Sequence, residues 1–318
     1  MSIEVLKPGP LSSLQDLGRT GVQRFGVIAS GVMDEWSHRL ANLLAGNGAD
    51  EASLEITLMG PSLLFHQDAL IAIVGADLSP RIGEQPVPMA EPVRVAAGSR
   101  LDFGRRVVGC RTYLAVHGGF TVPPVMGSRS TYLRAGFGGL QGRALRKGDR
   151  LPIAPDAVGS FDLPDAQTLS VPPHPALHER AIRVIQGQQW TRFSDQAQAR
   201  FFESPFVVNQ NSDRMGYRLD GPGLALAAPL EMISEAVGFG TVQVPPDGQP
   251  IVLMADRQTT GGYPKIASVA SVDLALVAQR VPGETLRFAP VTLDEAQALY
   301  LERERDFARI RNLIPSLK

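Results

Sequence analysis

Glycine and proline interrupt this chain so often that few long regular elements fit between them: 32 Gly and 25 Pro are spread over 318 residues, with short apolar runs in the gaps. Those runs, at Leu70 to Val74, Tyr113 to Val116, Ile182 to Ile185 and Ile251 to Met254, have strand length and are bounded by turn residues. The chain therefore reads as mainly β with tight connections. Helical periodicity is confined to three places. From Asp34 to Ala45, Trp36, Leu40, Leu43 and Leu44 share a face, Asp34 stands at the N-cap and Gly46 acts as a stop. His38, four residues after Asp34, is expected on the solvent side of this helix. Thr292 and Glu295 form a capping box ahead of a run through Leu299, Arg303, Phe307 and Ile310. A shorter helix is expected from Ser194 to Phe202.

Length and composition set the scale. A chain of this length with 44% hydrophobic residues and a formal net charge of −1 describes an ordinary soluble protein with two domains. The balance of 31 basic against 32 acidic residues leaves no electrostatic footprint for nucleic acid or an anionic membrane. Cys110 is the single cysteine, so an intramolecular disulfide and a multi-cysteine metal site are excluded and a reducing compartment fits. The opening MSIEVLKPGP lacks a basic and then apolar leader, and no run reaches the roughly 18 apolar residues of a membrane span. A cytoplasmic location is expected.

From Ala154 to Glu179 the chain is rich in proline, poor in apolar pairs and without period, which marks a linker. The expected domains are residues 1–165 and 166–318. His174 and His178 have i, i+4 spacing, but Pro172, Pro173 and Pro175 argue against the helix that a metal pair would need, so no metal is expected. A weak internal repeat crosses the linker. IEVLKPG at Ile3 resembles IRVIQGQ at Ile182, LMGPSLLF at Leu58 resembles LDGPGLAL at Leu219, and AAGSRLDF at Ala96 resembles RVPGETLRF at Arg280. The order matches and the spacing does not, which suggests two related barrels with different insertions.

Polar residues concentrate in GFGTVQVPPDGQPIVLMADRQTTGGYPK, residues 238 to 265. Its first part reads as a hairpin, with strands Thr241 to Val244 and Pro250 to Met254 around the turn Pro245-Pro246-Asp247-Gly248. Asp256 to Gly262 then leaves the second strand, and Gly261-Gly262 marks a sharp bend or a close approach of backbone. Placed donors and acceptors at the end of a buried strand, with room beside them, are what a small-molecule pocket needs. A turn network in which Asp256 and the threonines only cap backbone N–H groups fits the same residues.

Other constellations carry similar alternatives. Arg19, in the loop Gln15-Asp16-Leu17-Gly18-Arg19, suits either an anion or a clasp with Asp16. His117, after the strand at Tyr113 and before Gly118-Gly119, is the one histidine in a site-like setting. The segment Met126 to Asp149, with six glycines and Arg129, Arg134, Arg143, Arg146 and Lys147, suits an anion-binding flap, although it holds no nucleotide-binding glycine motif. In the loop Asn209 to Arg218, Arg214 or Arg218 is a candidate carboxylate clamp, or else part of a solvated, locally paired loop. No nucleophile-elbow motif, H-E-x-x-H motif or cysteine cluster is present.

Taken together, PGPLSSLQDLGRTG, GVMDEWSHRLANLLAGN, SLEITLMGP, MGSRSTYLRAGFGGLQGR, NSDRMGYRLDGP and VQVPPDGQPIVLMADRQTTGGYPKIASV resemble the biotin-dependent carboxyltransferase-like family. Its members include the C-type subunit of 5-oxoprolinase, the carboxyltransferase part of urea carboxylase, the second subunit of allophanate hydrolase and the antagonist of a sporulation-kinase inhibitor. The resemblance runs from about Pro8 to Phe288. It implies two cyclophilin-like β-barrel domains with a few short helices, and a partner corresponding to the B-type subunit of 5-oxoprolinase.

A free-standing chain of this size resembles the 5-oxoprolinase member of the family, which implies ATP-dependent opening of 5-oxoproline to L-glutamate, with the B-type partner, an optional A-type partner, and no activity alone. An acyl phosphate made from ATP is a reasonable route around the amide's resonance. ATP would be bound by the complex, since this chain has no ATP motif. The second implied reaction is carboxyl transfer from carboxybiotin to a urea-like nitrogen, with biotin carried by another protein because no biotinylation segment is present. The third is a regulator that sequesters its partner without catalysis.

The residues and the resemblance together single out a site. Asp256 is the expected polar anchor or general base, and Gln258 and Lys265 complete the catalytic set. Thr259, Thr260, Arg214, Gln243 and Tyr263 are the expected substrate-binding residues, with Lys265 or Arg214 neutralising a carboxylate. Under carboxyl transfer Asp256 would instead hold urea N–H groups.

Overall fold

The computed structural model describes residues 2–155, 158 and 180–314. Two compact units emerge, one comprising Met1–Arg19, Ser30–His174 and Glu304–Lys318, the other Thr20–Ala29 and Pro175–Arg303. The expected boundary at 165/166, most of the linker, His174 and His178 lie outside the described residues.

The first unit folds as the alternation of its strands dictates. In Ser2–Lys7, Ile3 and Val5 are buried and their neighbours are not, the period-two signature of a sheet with one face in a core. This strand pairs antiparallel with Ser62–Phe65 on one side and Arg150–Pro152 on the other. They belong to a six-stranded sheet completed by Arg100–Asp102, Arg81–Ile82 and Gln85–Pro86. A five-stranded sheet runs Leu11–Gln15, Ser53–Thr57, Val108–Val116, Ala69–Asp77, Pro92–Val95. Ile3, Val5, Leu63 and Phe65 of one sheet share a single core with Leu54, Ile71, Ile73, Leu114 and Val116 of the other. Truncating a side chain of this kind to alanine costs about 2–5 kcal/mol.

Helix Glu35–Leu44 packs on the strands Ala69–Asp77 and Val108–Val116. Asp34 caps it as expected, its Oδ1 accepting from the Ser37 N–H at 3.0 Å. His38 corrects the sequence expectation, because it is fully buried. Only Glu35 and Arg39 of this helix escape full burial, so the polar residues Ser37, His38 and Asn42 are enclosed as well. His38 Nδ1 lies 2.7 Å from Ser53 Oγ, and burial lowers its pKa to about 4.

The second unit is built on one eight-stranded sheet in the order Thr285–Leu286, Phe206–Val208, Gly216–Asp220, Ile251–Leu253, Thr241–Gln243, Lys265–Val269, Ile182–Gln186, Phe288–Pro290. The two outermost strands are separated in the chain by Arg287 alone. A sheet whose opposite edges are joined by one residue must curl round until they nearly meet, which gives a nearly closed barrel. All pairings are antiparallel except that of Ile182–Gln186 with Phe288–Pro290. Phe201, Phe206 and Phe288 pack within this unit, the rings of Phe201 and Phe288 stacked at 4.6 Å.

The expected hairpin is present, with Val242 opposite Val252 and the Gly248 N–H donating to the Pro245 carbonyl at 2.9 Å. Gly248 has a φ of 77°, the left-handed region where glycine costs least. The helix expected from Ser194 is Asp195–Glu203, and the one begun by the Thr292–Glu295 box is Leu293–Leu313. A fully buried helix at Leu274–Ala278 gave no periodic signal. The repeat does not extend to strand pairing. Ser2–Lys7 pairs with Ser62–Phe65, from its second block, whereas Ile182–Gln186 pairs with Lys265–Val269 and Phe288–Pro290. Among the described residues no helix is long and apolar enough to cross a membrane.

Candidate functional site

Strand pairing brings Arg214 and Asp256 together across 42 residues. Arg214 leads into Gly216–Asp220 and Asp256 follows Ile251–Leu253, which pair antiparallel with Gly216 opposite Leu253. The ladder continues past the strands, the Asp256 N–H donating to the Arg214 carbonyl at 2.8 Å. Their side chains then form a two-pronged ion pair, Nε to Oδ2 at 3.0 Å and Nη2 to Oδ1 at 3.2 Å. Each residue is only 5% exposed, so water screens the pair little. A carboxylate engaged at both oxygens by a planar guanidinium is an anchor. It acts as a general base only by loosening that grip.

Lys265 has its own set of partners. It opens the strand Lys265–Val269 opposite Gln243, and its residue exposure is 8%. Its Nζ donates to Glu235 Oε2 at 2.6 Å and to Gln188 Oε1 at 3.3 Å, while its backbone N–H donates to Gln189 Oε1 at 3.1 Å. Gly187 permits this closeness, since a Cβ there would stand 2.2 Å from the Lys265 carbonyl oxygen. Gln243 is buried and donates from Nε2 to the Tyr263 carbonyl at 3.4 Å. A Cβ on Gly261 would lie 2.5 Å from Gln243 Nε2, so the paired glycines do mark a close approach.

Thr260 and Gly261 pair with Ala236 and Glu235 as a two-stranded ribbon, and the Thr259 carbonyl accepts from the Val237 N–H. Thr260 is exposed, and Gln258 and Thr259 are half-buried. Beside the ribbon lies a cavity of about 620 Å³ walled by Leu224, Leu226, Met232, Val244, Pro245 and Tyr263. Tyr263 is the one expected site residue in its lining. The structure thus groups Lys265, Gln243 and Tyr263 with each other, and Asp256 with Arg214. Three residues of the Lys265 cluster escape a reading of the sequence. Gln188 and Gln189 follow a strand and a glycine, a signal that is present; Glu235 sits in an unremarkable segment and can be found only through its strand partner Gly261.

The polar loops of the first unit close on themselves. Asp16 accepts from the hydroxyls of Ser128 and Ser130 and from the backbone N–H groups of Arg129 and Gly18. Burial pushes its pKa up, but those hydrogen bonds outweigh it and hold the carboxyl below its usual range. Arg19 donates to the Ser130 carbonyl and stacks on Phe137 at 4.8 Å. It is the serines, then, and not Arg19, that hold the Asp16 carboxylate here. Arg143 forks onto Asp149 at 2.7 and 2.8 Å, and His117 is buried with Nδ1 2.7 Å from the Ala45 carbonyl oxygen. Among the described residues no group of three or more His, Cys, Asp or Glu is placed to hold a metal ion.

The chain matches the family model described as "Carboxyltransferase domain, subdomain A and B" over residues 25–290. It is 39% identical over 312 residues to the C-type subunit of 5-oxoprolinase from Haemophilus influenzae, covering 98% of each chain. It is likewise 39% identical over 308 residues to the C-type subunit of 5-oxoprolinase from Escherichia coli, covering 97% of each. The crystal structure of Kluyveromyces lactis urea carboxylase superposes with a TM-score of 0.88 at 33% identity, over 100% of this chain and 30% of that one. A match over most of the sequence, near-complete mutual coverage of two relatives and a shared mainly β fold place this chain in the carboxyltransferase domain, subdomain A and B, family.

Proposed function

We propose that this chain is the C-type subunit of a 5-oxoprolinase, acting with a B-type partner, and optionally an A-type one, in ATP-dependent hydrolysis of 5-oxoproline to L-glutamate in the cytoplasm. The observation that carries the reading is the mutual coverage of 98% with a relative named as part of that enzyme, so that the two chains match along their length. Lactam opening needs the ring carbonyl activated, the substrate carboxylate neutralised and the ring held still. Lys265 supplies a buried cation for the carboxylate. The exposed Tyr263 borders the nearby cavity, buried Gln243 holds the Tyr263 carbonyl, and Thr259 and Thr260 by the ribbon orient the ring. The Arg214–Asp256 pair serves as the rigid polar anchor at the strand ends, with Gln258 two residues beyond Asp256 in the chain. ATP is held by the assembled complex.

Carboxyl transfer from carboxybiotin, borne by another protein, to a urea-like substrate is the second reading. It is favoured by the family model's description and by the urea carboxylase superposition. The deciding experiment is glutamate release from 5-oxoproline with ATP, by this chain co-purified with its partners and without biotin. Release that disappears in Lys265→Met supports the lactamase; none from a well-formed complex transfers the weight to carboxyl transfer.

A further inference from the structure

The ion pair on Lys265 is lopsided. The lysine side chain is 10% exposed, whereas that of Glu235 is 47% exposed. A buried cation must be neutralised, and the cost of removing it from water is met by whichever anion reaches it. Glu235 reaches Lys265 from outside, from a strand of two residues, Glu235–Ala236, whose sheet partner is the equally short Thr260–Gly261. The same segment contributes Leu230 and Met232 to the cavity wall, and Ile233 between them and Glu235 is 87% exposed. By contrast, the amide partner Gln188 and the backbone partner Gln189 come from the loop locked by Gly187 against the Lys265 carbonyl. The cation and its amide neighbours are therefore held by the barrel, and the anion is held by a peripheral ribbon.

We propose that the Glu235 carboxylate is a built-in stand-in for a ligand carboxylate on Lys265, exchanged for it when ligand binds. The inference rests on the reading above and deepens it by naming the anion subsite and the contact that a carboxylate-bearing lactam must displace. Such an exchange sets a threshold. Ligands without a carboxylate leave Glu235 in place, while those with one recover the neutralisation that Glu235 gives up, so the site discriminates on charge. Removing the stand-in should raise the fraction of protein ready to bind.

The test is calorimetric titration of the full chain with 5-oxoproline and with 2-pyrrolidinone, the same ring without its carboxylate. Glu235→Ala should bind 5-oxoproline about tenfold more tightly than the unaltered protein, with binding of 2-pyrrolidinone unchanged. Lys265→Met should erase the difference. Glu235→Gln preserves the shape of the side chain and should move in the same direction, which keeps the test valid if the alanine form folds poorly. As a second measure, 5-oxoproline should slow acetylation of Lys265 by acetic anhydride in Glu235→Gln. Equal or weaker 5-oxoproline binding in both Glu235 variants, or no carboxylate-dependent binding in any form, overturns the proposal. Enhanced binding without turnover by the complex would leave the subsite standing and remove the lactamase reading; turnover without enhanced binding would remove the exchange alone.

Discussion

The two units use the same residue types for different ends. In the first, Asp16 is buried among donors from two loops, and Arg19 lies along Phe137. In the second, Lys265 is neutralised by a carboxylate that stays half in water. Both are acid–base clusters in glycine-rich surroundings, yet one is closed and the other is open on its anionic side. An enclosed network stabilises the fold because each member satisfies another. A network with one solvent-facing member can trade that member for a ligand.

The largest expected effect would break this comparison if it failed. Asp16→Ala removes the acceptor for four donors at once and should cost roughly 4 kcal/mol in urea unfolding. A loss below about 1 kcal/mol would mean that the first-unit loops are not the structural clasp described. Next comes Asp256→Asn. A site residue selected for chemistry alone would leave folding intact, but here the substitution takes the carboxylate away from buried Arg214 and should cost about 3 kcal/mol. The double variant Asp256→Asn with Arg214→Met should be less damaged than Asp256→Asn alone. A double-mutant cycle with no coupling would show that the pair is not a unit.

The pH dependence sharpens the contrast between enclosed and open groups. His38 has a folded pKa of about 4 against an ordinary value of 6.5. The unfolded chain takes up a proton through pH 6.5 while the folded one resists until about pH 4, so stability falls as pH is lowered through that window. The whole loss is about 3 kcal/mol, at roughly 1.36 kcal/mol for each tenfold change in proton affinity. Denaturation midpoints across that window should show it, and His38→Gln should flatten it. The smallest effect compares two glycines of one loop. Gly138, with φ 74°, would place a Cβ 2.1 Å from the Ser130 carbonyl oxygen, whereas Gly136, with φ 69°, has open space. Gly138→Ala should cost more than about 2 kcal/mol and Gly136→Ala about 1 kcal/mol, read from thermal melts.

Much of the architecture can be read from local pattern. Asp34, Ser194 and Thr292 mark the starts of the three expected helices because capping is chemistry within four residues. The hairpin from Thr241 to Leu253 follows from its turn residues for the same reason. His38 defeats such a reading because a helix buried on nearly every side has no solvent face for a polar residue to mark. Asp256, Lys265 and Gln243 stand out because their density exceeds what a turn needs. Their partners do not. Arg214 reaches Asp256 through a strand pair spanning 42 residues, and Glu235 reaches Lys265 across 30.

By itself, then, the sequence determined the β-rich class, the caps and turns, and, through its similarity to carboxyltransferase-domain relatives, the family. These depend on neighbours in the chain or on the whole string of residues. Tertiary structure alone decided which Asp is clasped, which Lys faces a half-exposed anion and where the cavity lies, because those depend on strand register. Register is set by the packing of the whole barrel, and no segment of the chain contains it.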